Sequence, residues 1–248
     1  MNRPRLAMVM LLAGTMLAIA PLLQAAHPAV SREMAGVWLP DSKRSDRTPS
    51  QWPLRADAAA ARDKWLAEYG PVDATVDDTN ASCIAEAMPW PARLIAQYPF
   101  EVLFTADRVT IFHEVFGSLR RIPIGRARNT FEALPSAMGR SIGHWEGDIL
   151  VVETDMIRRE GAGLPSGNPP VSNARRIVER WSMGKDDAGN KQLRNEITLI
   201  DPVVFTAPVK MTMRYKWSPD IAVGEYLCQQ DIWDQNLQGS PSTVPWRK

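Results

Sequence analysis

The chain has 248 residues, 45% of them hydrophobic and 23% charged, with a formal net charge of +1 at pH 7. Basic and acidic residues are interspersed, which excludes the basic footprint of a nucleic-acid-binding protein and the polybasic patch of a membrane-surface protein. The length is enough for one β-rich domain, or two small ones, with a proper core.

The first 26 residues are typical of a secretory signal peptide. A short basic segment precedes the uncharged run Leu6–Leu23, and small residues follow that allow cleavage after Ala25 or Ala26. The alternative is an uncleaved anchor, since about 18 apolar residues can just span a bilayer. Pro21 and the alanines favour cleavage, so we expect a periplasmic or secreted protein without stable membrane insertion afterwards.

The N-terminal part of the mature chain is predicted to be partly helical and partly irregular. A short strand over Ala35–Leu39 precedes this segment, which covers about residues 41–99. Its clearest element is the alanine-dense helix Ala56–Tyr69, which Gly70 and Pro71 terminate. Prolines around Trp90 argue against a second long element.

From Phe100 onward the hydrophobic period changes to two, which indicates strands. The cleanest run is Val209–Trp217, where apolar and polar residues alternate as in a half-buried antiparallel strand. The other predicted strands are Glu101–Thr105, Arg108–Val115, Leu119–Ile124, Asp148–Thr154, Arg175–Met183, Gln192–Ile200 and Glu225–Cys228. Eight or nine strands with short turns predict a mainly β fold, an antiparallel meander that closes into a barrel rather than a sandwich. Residues 27–248 would form this single domain, with one or two short helices.

One connection is unusually long. Asp155–Ala174 holds about 20 residues, rich in glycine and proline, without a regular pattern, and loops of this length in compact domains are uncommon. It is either a lid over the barrel mouth or a plain surface excursion.

Two cysteines, Cys83 and Cys228, are the complete set. In an oxidising compartment two cysteines can pair and close a long loop, and we expect them to do so. The alternative is two unrelated buried thiols.

The segment Gly139–Gly143 matches G-x-S-x-G, the pattern of a serine-hydrolase nucleophile elbow. The elbow requires a helix after the serine, but here a Glu146-Gly147 turn and a strand follow. The hydrolase fold also requires a histidine late in the chain, whereas His144 is the only one after Ser141. We therefore interpret Ser141 as a strand residue whose hydroxyl has a structural partner.

The residues of the predicted lumen provide the candidate site. His113 and Arg120 both share a face with apolar residues, and a buried polar side chain inside an apolar pocket is typical of a ligand site. The alternative is a satisfied core histidine and an arginine at the rim. The inward face of the cleanest strand adds further candidate ligand contacts: Met211, Met213, Tyr215 and Trp217.

Catalysis would require a second group beside His113, which could act as general acid or base. Glu146 and Asp148 are the candidate carboxylates, although both could equally be solvated turn residues. The spacing of His and Cys residues predicts no metal site, and no glycine-rich nucleotide motif is present, so no cofactor is expected.

Several strings resemble a largely uncharacterised family of exported bacterial proteins. They run in order from about Gly36 to Cys228, and the most specific is the block M-G-x-S-x-G-x-W-E-G-D-x-L-V-V, here starting at Met138. The resemblance implies export and a similar fold. Relatives often have a histidine where this chain has Arg140, an arginine where it has His144, and P-H-S-D where it has Val171 after Pro170. Any activity of relatives that depends on those histidines is in doubt here.

Gly36-Val37-Trp38 also resembles the G-x-W of lipocalins, which implies a lipocalin-like barrel. Two functions are consistent with these sequence features. The protein either binds an apolar or aromatic small molecule in the barrel lumen, or is a periplasmic lyase, isomerase or hydrolase that acts on such a molecule with His113 and a carboxylate.

Overall fold

A computed structural model describes residues 27–46, 49, 51–69, 85–93, 98–125, 134–159 and 169–227. The predicted signal peptide, residues 1–26, lies outside this part of the chain, and so do Cys83 and Cys228. Signal cleavage and the disulfide therefore stay predictions.

The described residues form nine strands in a single antiparallel sheet. The strands are β1 (Gly36–Pro40), β2 (Phe100–Thr105), β3 (Arg108–His113), β4 (Ser118–Pro123), β5 (Arg140–Glu146), β6 (Ile149–Asp155), β7 (Arg176–Lys185), β8 (Lys191–Ile200) and β9 (Val209–Trp217). Alternating burial is clearest in β3, β4 and β9, where every second side chain is buried. The period-two interpretation of the sequence is confirmed.

The strand order is that of an up-and-down barrel with one seam. The order β4-β3-β2-β1-β9-β8-β7-β6-β5 brings the first strand against the last and leaves β4 and β5 as the two edges. Because nine strands paired antiparallel leave these edges pointing the same way, they can meet only in parallel. Ile124 and Gly143 form such a parallel bridge, and the Gly125 N–H donates to the Gly143 carbonyl at 2.9 Å. The barrel is thus nearly closed, as expected from the sequence.

Gly143 allows the close approach at this seam. A Cβ placed on Gly143 would lie 2.7 Å from Ile124 Cδ1 and 3.0 Å from Ile122 Cγ2. Both distances are below ordinary van der Waals contact, so a side chain here would push β5 away from β4. The second glycine of the G-x-S-x-G motif therefore has a packing function in barrel closure.

The two ends of the barrel are defined by the strand directions. The first end, called here the turn end, carries the β2–β3, β5–β6 and β7–β8 turns together with the start of β1 and the end of β9. The second end, the helix end, carries the β3–β4 connection, which contains a 3-10 helix over Val115–Gly117. Helix α3 (Trp90–Arg93) starts near the helix end, because the backbone N–H of Met88 just before it donates to the carbonyl of Ala137, next to the start of β5, at 2.9 Å. The Ala92 carbonyl accepts a hydrogen bond from Tyr215 at 2.7 Å.

N-terminal residues cover the turn end. Helix α1 (Val30–Met34) precedes β1, and the Met34 carbonyl accepts a hydrogen bond from Trp38 Nε1 at 2.9 Å. His27 contacts the Thr105 carbonyl at 2.6 Å and accepts a hydrogen bond from Trp145 Nε1 at 3.0 Å. Helix α2 (Ala56–Tyr69), which has the same bounds as the sequence predicted, starts instead near the helix end, because the backbone N–H of Arg55 just before it donates to the Val204 carbonyl in the β8–β9 connection at 2.8 Å.

Several boundaries differ from the sequence-based expectation. No strand forms over residues 225–227, where Glu225–Cys228 was predicted, and the backbone N–H of the preceding Gly224 donates to Glu114 Oε2. The β5–β6 turn consists of Gly147 and Asp148 rather than Glu146 and Gly147, since Glu146 pairs with Ile149. Gly147 has φ of 59°, which its lack of a side chain permits.

The described flanks of the long connection pack on the barrel. Ile157 is fully buried and forms a bridge with Ser136, and Val171 is 4% exposed. Residues 160–168 lie outside the described part, so the choice between lid and surface excursion stays open. None of the described helices is both long and apolar enough to cross a bilayer.

Candidate functional site

A charged pair lies inside the barrel. Alternation along β4 turns Arg120 inward between Ser118 and Ile122, and alternation along β7 turns Glu179 inward between Ile177 and Trp181. Arg120 Nη1 donates to Glu179 Oε1 at 3.1 Å, and Nη2 donates to Oε2 at 2.5 Å. The two side chains are 1% and 0% exposed. This bidentate geometry is the strongest form of such a pair.

Three polar side chains complete what we call the interior polar cluster, which consists of Arg120, Ser141, Thr154, Glu179 and Asn195. Arg120 Nη2 also donates to Ser141 Oγ at 3.3 Å and to Thr154 Oγ1 at 3.2 Å. The two hydroxyls are 2.8 Å apart, and Asn195 Nδ2 donates to Glu179 Oε1 at 3.0 Å. The cluster thus ties β4 to β5, β6, β7 and β8 across the interior.

Aromatic rings form a wall beside this cluster. Trp181 stacks on Tyr215 with ring centroids 5.6 Å apart, and Phe100 meets Tyr215 edge-on at 4.8 Å. His113 lies against the other side of Phe100, with ring centroids 5.3 Å apart. All four side chains are at most 3% exposed. The lumen therefore combines an aromatic surface with a polar centre, as ligand pockets commonly do.

Four buried polar atoms in this interior have no hydrogen-bond partner among the described residues. They are His113 Nε2, Arg120 Nε, Trp181 Nε1 and Asn195 Oδ1. Natural proteins rarely leave buried donors and acceptors unsatisfied, so each such atom calls for an explanation such as a bound molecule. Two of the atoms donate, one accepts, and the histidine nitrogen can do either.

Burial changes the protonation behaviour of His113 and Tyr215 in this interior. Burial, with a further contribution from the positive charge of Arg120, lowers the pKa of His113 to about 3. The imidazole is therefore neutral at neutral pH. Burial and then the negative charge of Glu179 raise the pKa of Tyr215, so its hydroxyl also stays neutral.

The structure brings most of the predicted ligand contacts together. Arg120 and Tyr215 are in the lumen with 2% and 1% exposure, and Met211 and Met213 precede Tyr215 on the same face of β9. Trp217 is different. It is half-buried at the turn end, packed edge-on against Trp38 with ring centroids 5.1 Å apart.

The structure does not bring the predicted catalytic groups together. His113 ends β3 at the helix end, whereas Glu146 and Asp148 lie at the turn end of the barrel, on the exposed side of the sheet. Glu146 instead bonds to Arg180 at 2.8 Å and to His144 at 3.3 Å. These two bonds lower the pKa of Glu146, Arg180 contributing more. Glu146 at the end of β5 and Asp148 in the following turn are both exposed, which agrees with the solvated alternative, although only Asp148 is a turn residue.

Ser141 has the structural partners that the sequence analysis predicted. It lies on β5 opposite Thr154, is 8% exposed, and bonds to Thr154 and Arg120 rather than to a histidine. The glycines on either side have their own structural reasons, since Gly139 has φ of 64° and Gly143 lies at the seam. The match to the nucleophile elbow is a coincidence of three structural requirements.

Sequence reasoning missed Glu179 and Asn195. Both interrupt the apolar face of a strand, Glu179 between Ile177 and Trp181 and Asn195 between Leu193 and Ile197. The signal that found His113, a polar residue in phase with an apolar face, would have found them too. The prediction centred on histidine and missed a carboxylate in phase with the apolar face of β7.

A separate cleft of about 310 Å3, called here the turn-end cleft, lies at the turn end. Lys191 Nζ lies 3.7 Å from the centre of a Trp217 ring and 5.2 Å from that of Trp38. The remaining lining residues are Asp186, Asn190, Gln192 and Lys216. Trp217 therefore belongs to a solvent-open cation–π arrangement.

No family model and no curated protein matches the chain. Similar solved structures are those of the fluorescent protein UnaG, wild type, at 13% identity and a TM-score of 0.35, and of an asparagine-to-alanine mutant of UnaG, at 12% identity and the same TM-score. Each covers 75% of this chain, with 98% and 97% of the UnaG chains aligned. The barrel assignment rests on the strand order and registers described above.

Proposed function

We propose that the protein binds an apolar or aromatic small molecule in the barrel lumen. The observation that carries this proposal is the set of unpartnered buried atoms, on His113, Arg120, Trp181 and Asn195, beside an aromatic wall. A bound molecule with a flat apolar body and a few polar groups would satisfy these atoms and pack on Trp181 and Phe100.

Binding has more support than catalysis. A general acid or base works best when its pKa is close to the working pH, whereas burial lowers the pKa of His113 to about 3. The predicted carboxylate partners Glu146 and Asp148 are at the other end of the barrel. The buried carboxylate in the lumen, Glu179, is committed to Arg120. A turnover assay with His113→Ala tests the catalytic alternative, and product formation that this variant abolishes would establish it.

Tryptophan fluorescence titration against a panel of aromatic and terpenoid compounds tests the binding proposal. Trp181 lies in the lumen, so Trp181→Phe should remove most of the ligand-induced change. Trp52 packs on Phe205, with ring centroids 5.9 Å apart, and provides the control, since Trp52→Phe should leave the change intact. A response lost in Trp217→Phe but kept in Trp181→Phe would move the site to the turn-end cleft and contradict the proposal.

We further propose that the protein is exported, as its resemblance to an exported family implies, and that Cys83 and Cys228 pair in the oxidising compartment it reaches. N-terminal sequencing of mature protein from an exporting host should give Ala26 or His27 as the first residue. Titration of the denatured, unreduced protein should find no free thiol. Closing so long a loop stabilises by about 4–5 kcal/mol in the chain-entropy model. Retention of the leader or two reactive thiols would contradict the respective proposal.

A further inference from the structure

The lumen contains charged side chains, and their net charge decides whether a charged ligand can bind there. The fully buried ionisable side chains of the described strands are His113, Arg120, Glu179 and Tyr215. Arg120 and Glu179 cancel, and the other two are neutral because burial lowers the pKa of His113 and raises that of Tyr215. The next buried pair, Arg175 and Asp201, lies outside the strands and also combines opposite charges.

Glu179 leaves Arg120 little capacity to bind an anion. Both terminal nitrogens of the guanidinium donate to the Glu179 carboxylate, and Nη2 is also shared with Ser141 and Thr154. An ionised carboxylate that entered beside this pair would meet the negative charge of Glu179 and no uncompensated cation among the fully buried side chains. Burying an unpaired charge is strongly unfavourable, so such a ligand would be rejected.

The unpartnered atoms define what the ligand offers instead. Trp181 Nε1 and Arg120 Nε are donors that need an acceptor, while Asn195 Oδ1 is an acceptor that needs a donor. A purely apolar molecule would leave all of them unsatisfied, at a free-energy penalty for each. A neutral molecule with a hydroxyl, amide or similar group can supply both functions.

We propose that the lumen selects an uncharged aromatic compound with both a hydrogen-bond donor and an acceptor, and that Glu179 excludes acidic compounds by neutralising Arg120. This inference rests on the proposed function, because it concerns the same lumen. It names the ligand class, a neutral phenol-like or amide-bearing aromatic rather than an aromatic acid or a plain hydrocarbon.

Isothermal titration calorimetry with naphthol, naphthoate and naphthalene at neutral pH tests the proposal, because the three share one ring system. Naphthol should bind at least tenfold more tightly than either of the others. In Glu179→Gln the Arg120 charge loses its partner, so the preference should reverse towards naphthoate. Glu146→Gln removes a carboxylate from the outer face, which changes the net charge equally, and should keep the wild-type order.

Should Glu179→Gln fail to fold, the double variant Arg120→Met/Glu179→Leu provides a second test. It removes both charges, keeps the lumen neutral, and should still reject naphthoate. Equal binding of naphthol and naphthoate to the wild type would overturn the neutrality proposal and leave lumen binding intact, and equal binding of naphthol and naphthalene would overturn the hydrogen-bonding requirement. Failure of all three probes to bind would count against the proposed function itself.

Discussion

Strand β7 carries two charged neighbours, Glu179 and Arg180, whose ion pairs lie on opposite sides of the barrel wall. Glu179 turns inward and meets Arg120 at 2.5 Å, with both side chains at most 1% exposed. Arg180 turns outward and meets Glu146 at 2.8 Å, with the side chains 37% and 48% exposed. The two pairs have the same chemistry and nearly the same distance.

Their energetic consequences differ because only one pair is dehydrated. Water screens the outer pair, and exposed ion pairs contribute at most about 1 kcal/mol. The inner pair has lost its hydration, so each charge depends on its partner and on the surrounding hydroxyl and amide groups. Inside the barrel, the position of every polar group is therefore constrained, whereas at the surface the same groups can be exchanged.

Removal of one inner charge should have the largest effect. Arg120→Met leaves Glu179 buried without its cation, and we expect a loss of about 3–5 kcal/mol in the free energy of unfolding, measured by urea denaturation. Arg180→Met is the matched control on the outer face and should lose less than about 1 kcal/mol.

The double variant Arg120→Met/Glu179→Leu sharpens the comparison. Since it removes both buried charges, it should recover most of the stability that the single variant loses. Similar losses for Arg120→Met and Arg180→Met would show that the inner pair is hydrated, contrary to its burial in the structure.

The buried histidine, His113, should make the stability of the protein depend on pH. The unfolded chain protonates a histidine below its ordinary pKa of 6.5, whereas native His113 does so only near pH 3. The native state therefore binds fewer protons in this window, and stability is lost as the pH falls from 6.5 towards 3, at about 1.4 kcal/mol per pH unit. Between pH 6.5 and 5 this contribution amounts to about 2 kcal/mol.

Denaturation curves of wild type and His113→Phe across this range measure that contribution. The phenylalanine keeps the ring against Phe100, so the variant should lack the His113 part of the acid destabilisation. His144→Gln, which changes an exposed histidine on the outer face, is the matched control variant. Identical slopes for His113→Phe and wild type would contradict the burial of a neutral imidazole.

A third prediction compares a glycine that faces the lumen at the seam, Gly143, with one on the outer face of the sheet, Gly184. Gly143→Ala places a methyl group 2.7 Å from Ile124 Cδ1 at the seam, and we expect a loss of about 1–3 kcal/mol by thermal or chemical denaturation. At Gly184 on β7 an added Cβ would meet no atom within 4 Å, so Gly184→Ala should be neutral or slightly stabilising. Equal effects would mean that β4 and β5 do not pack closely.

The sequence predicted the barrel well because burial on one face imposes a period of two. Val209–Trp217 and the helix Ala56–Tyr69 have the predicted bounds, since alternation and an alanine-rich run are strong local signals. The strand predicted over Glu225–Cys228 is absent from its described residues 225–227, because a short apolar run does not by itself specify a strand. The ends of strands depend on partners that are distant in sequence.

The site was only half predictable for a related reason. The pattern identified His113 and Arg120 as polar residues on apolar faces, and both are buried. It could not show that Glu179, 59 residues after Arg120, lies across the lumen from it, because that depends on closure of the barrel. Glu146 and Asp148 were the candidate carboxylate partners of His113, and the barrel places them at the opposite end from it.

The smallest expected effect concerns Ser141, the residue that most resembles a catalytic one. Its hydroxyl bonds to Thr154 at 2.8 Å and accepts from Arg120 at 3.3 Å, so Ser141→Ala should lose about 1 kcal/mol of stability, the usual scale of one hydrogen bond. Thr154→Val removes the partner hydroxyl and should lose a similar amount. Because the two hydroxyls are coupled, the double variant should lose less than the sum of the two single losses.

A serine-reactive phosphonate should label neither the wild type nor Thr154→Val, since no described histidine bonds to Ser141 to activate it. Stoichiometric labelling at Ser141 would instead show that its hydroxyl is an activated nucleophile. Ser141 would then be a catalytic residue and not a structural partner of Arg120.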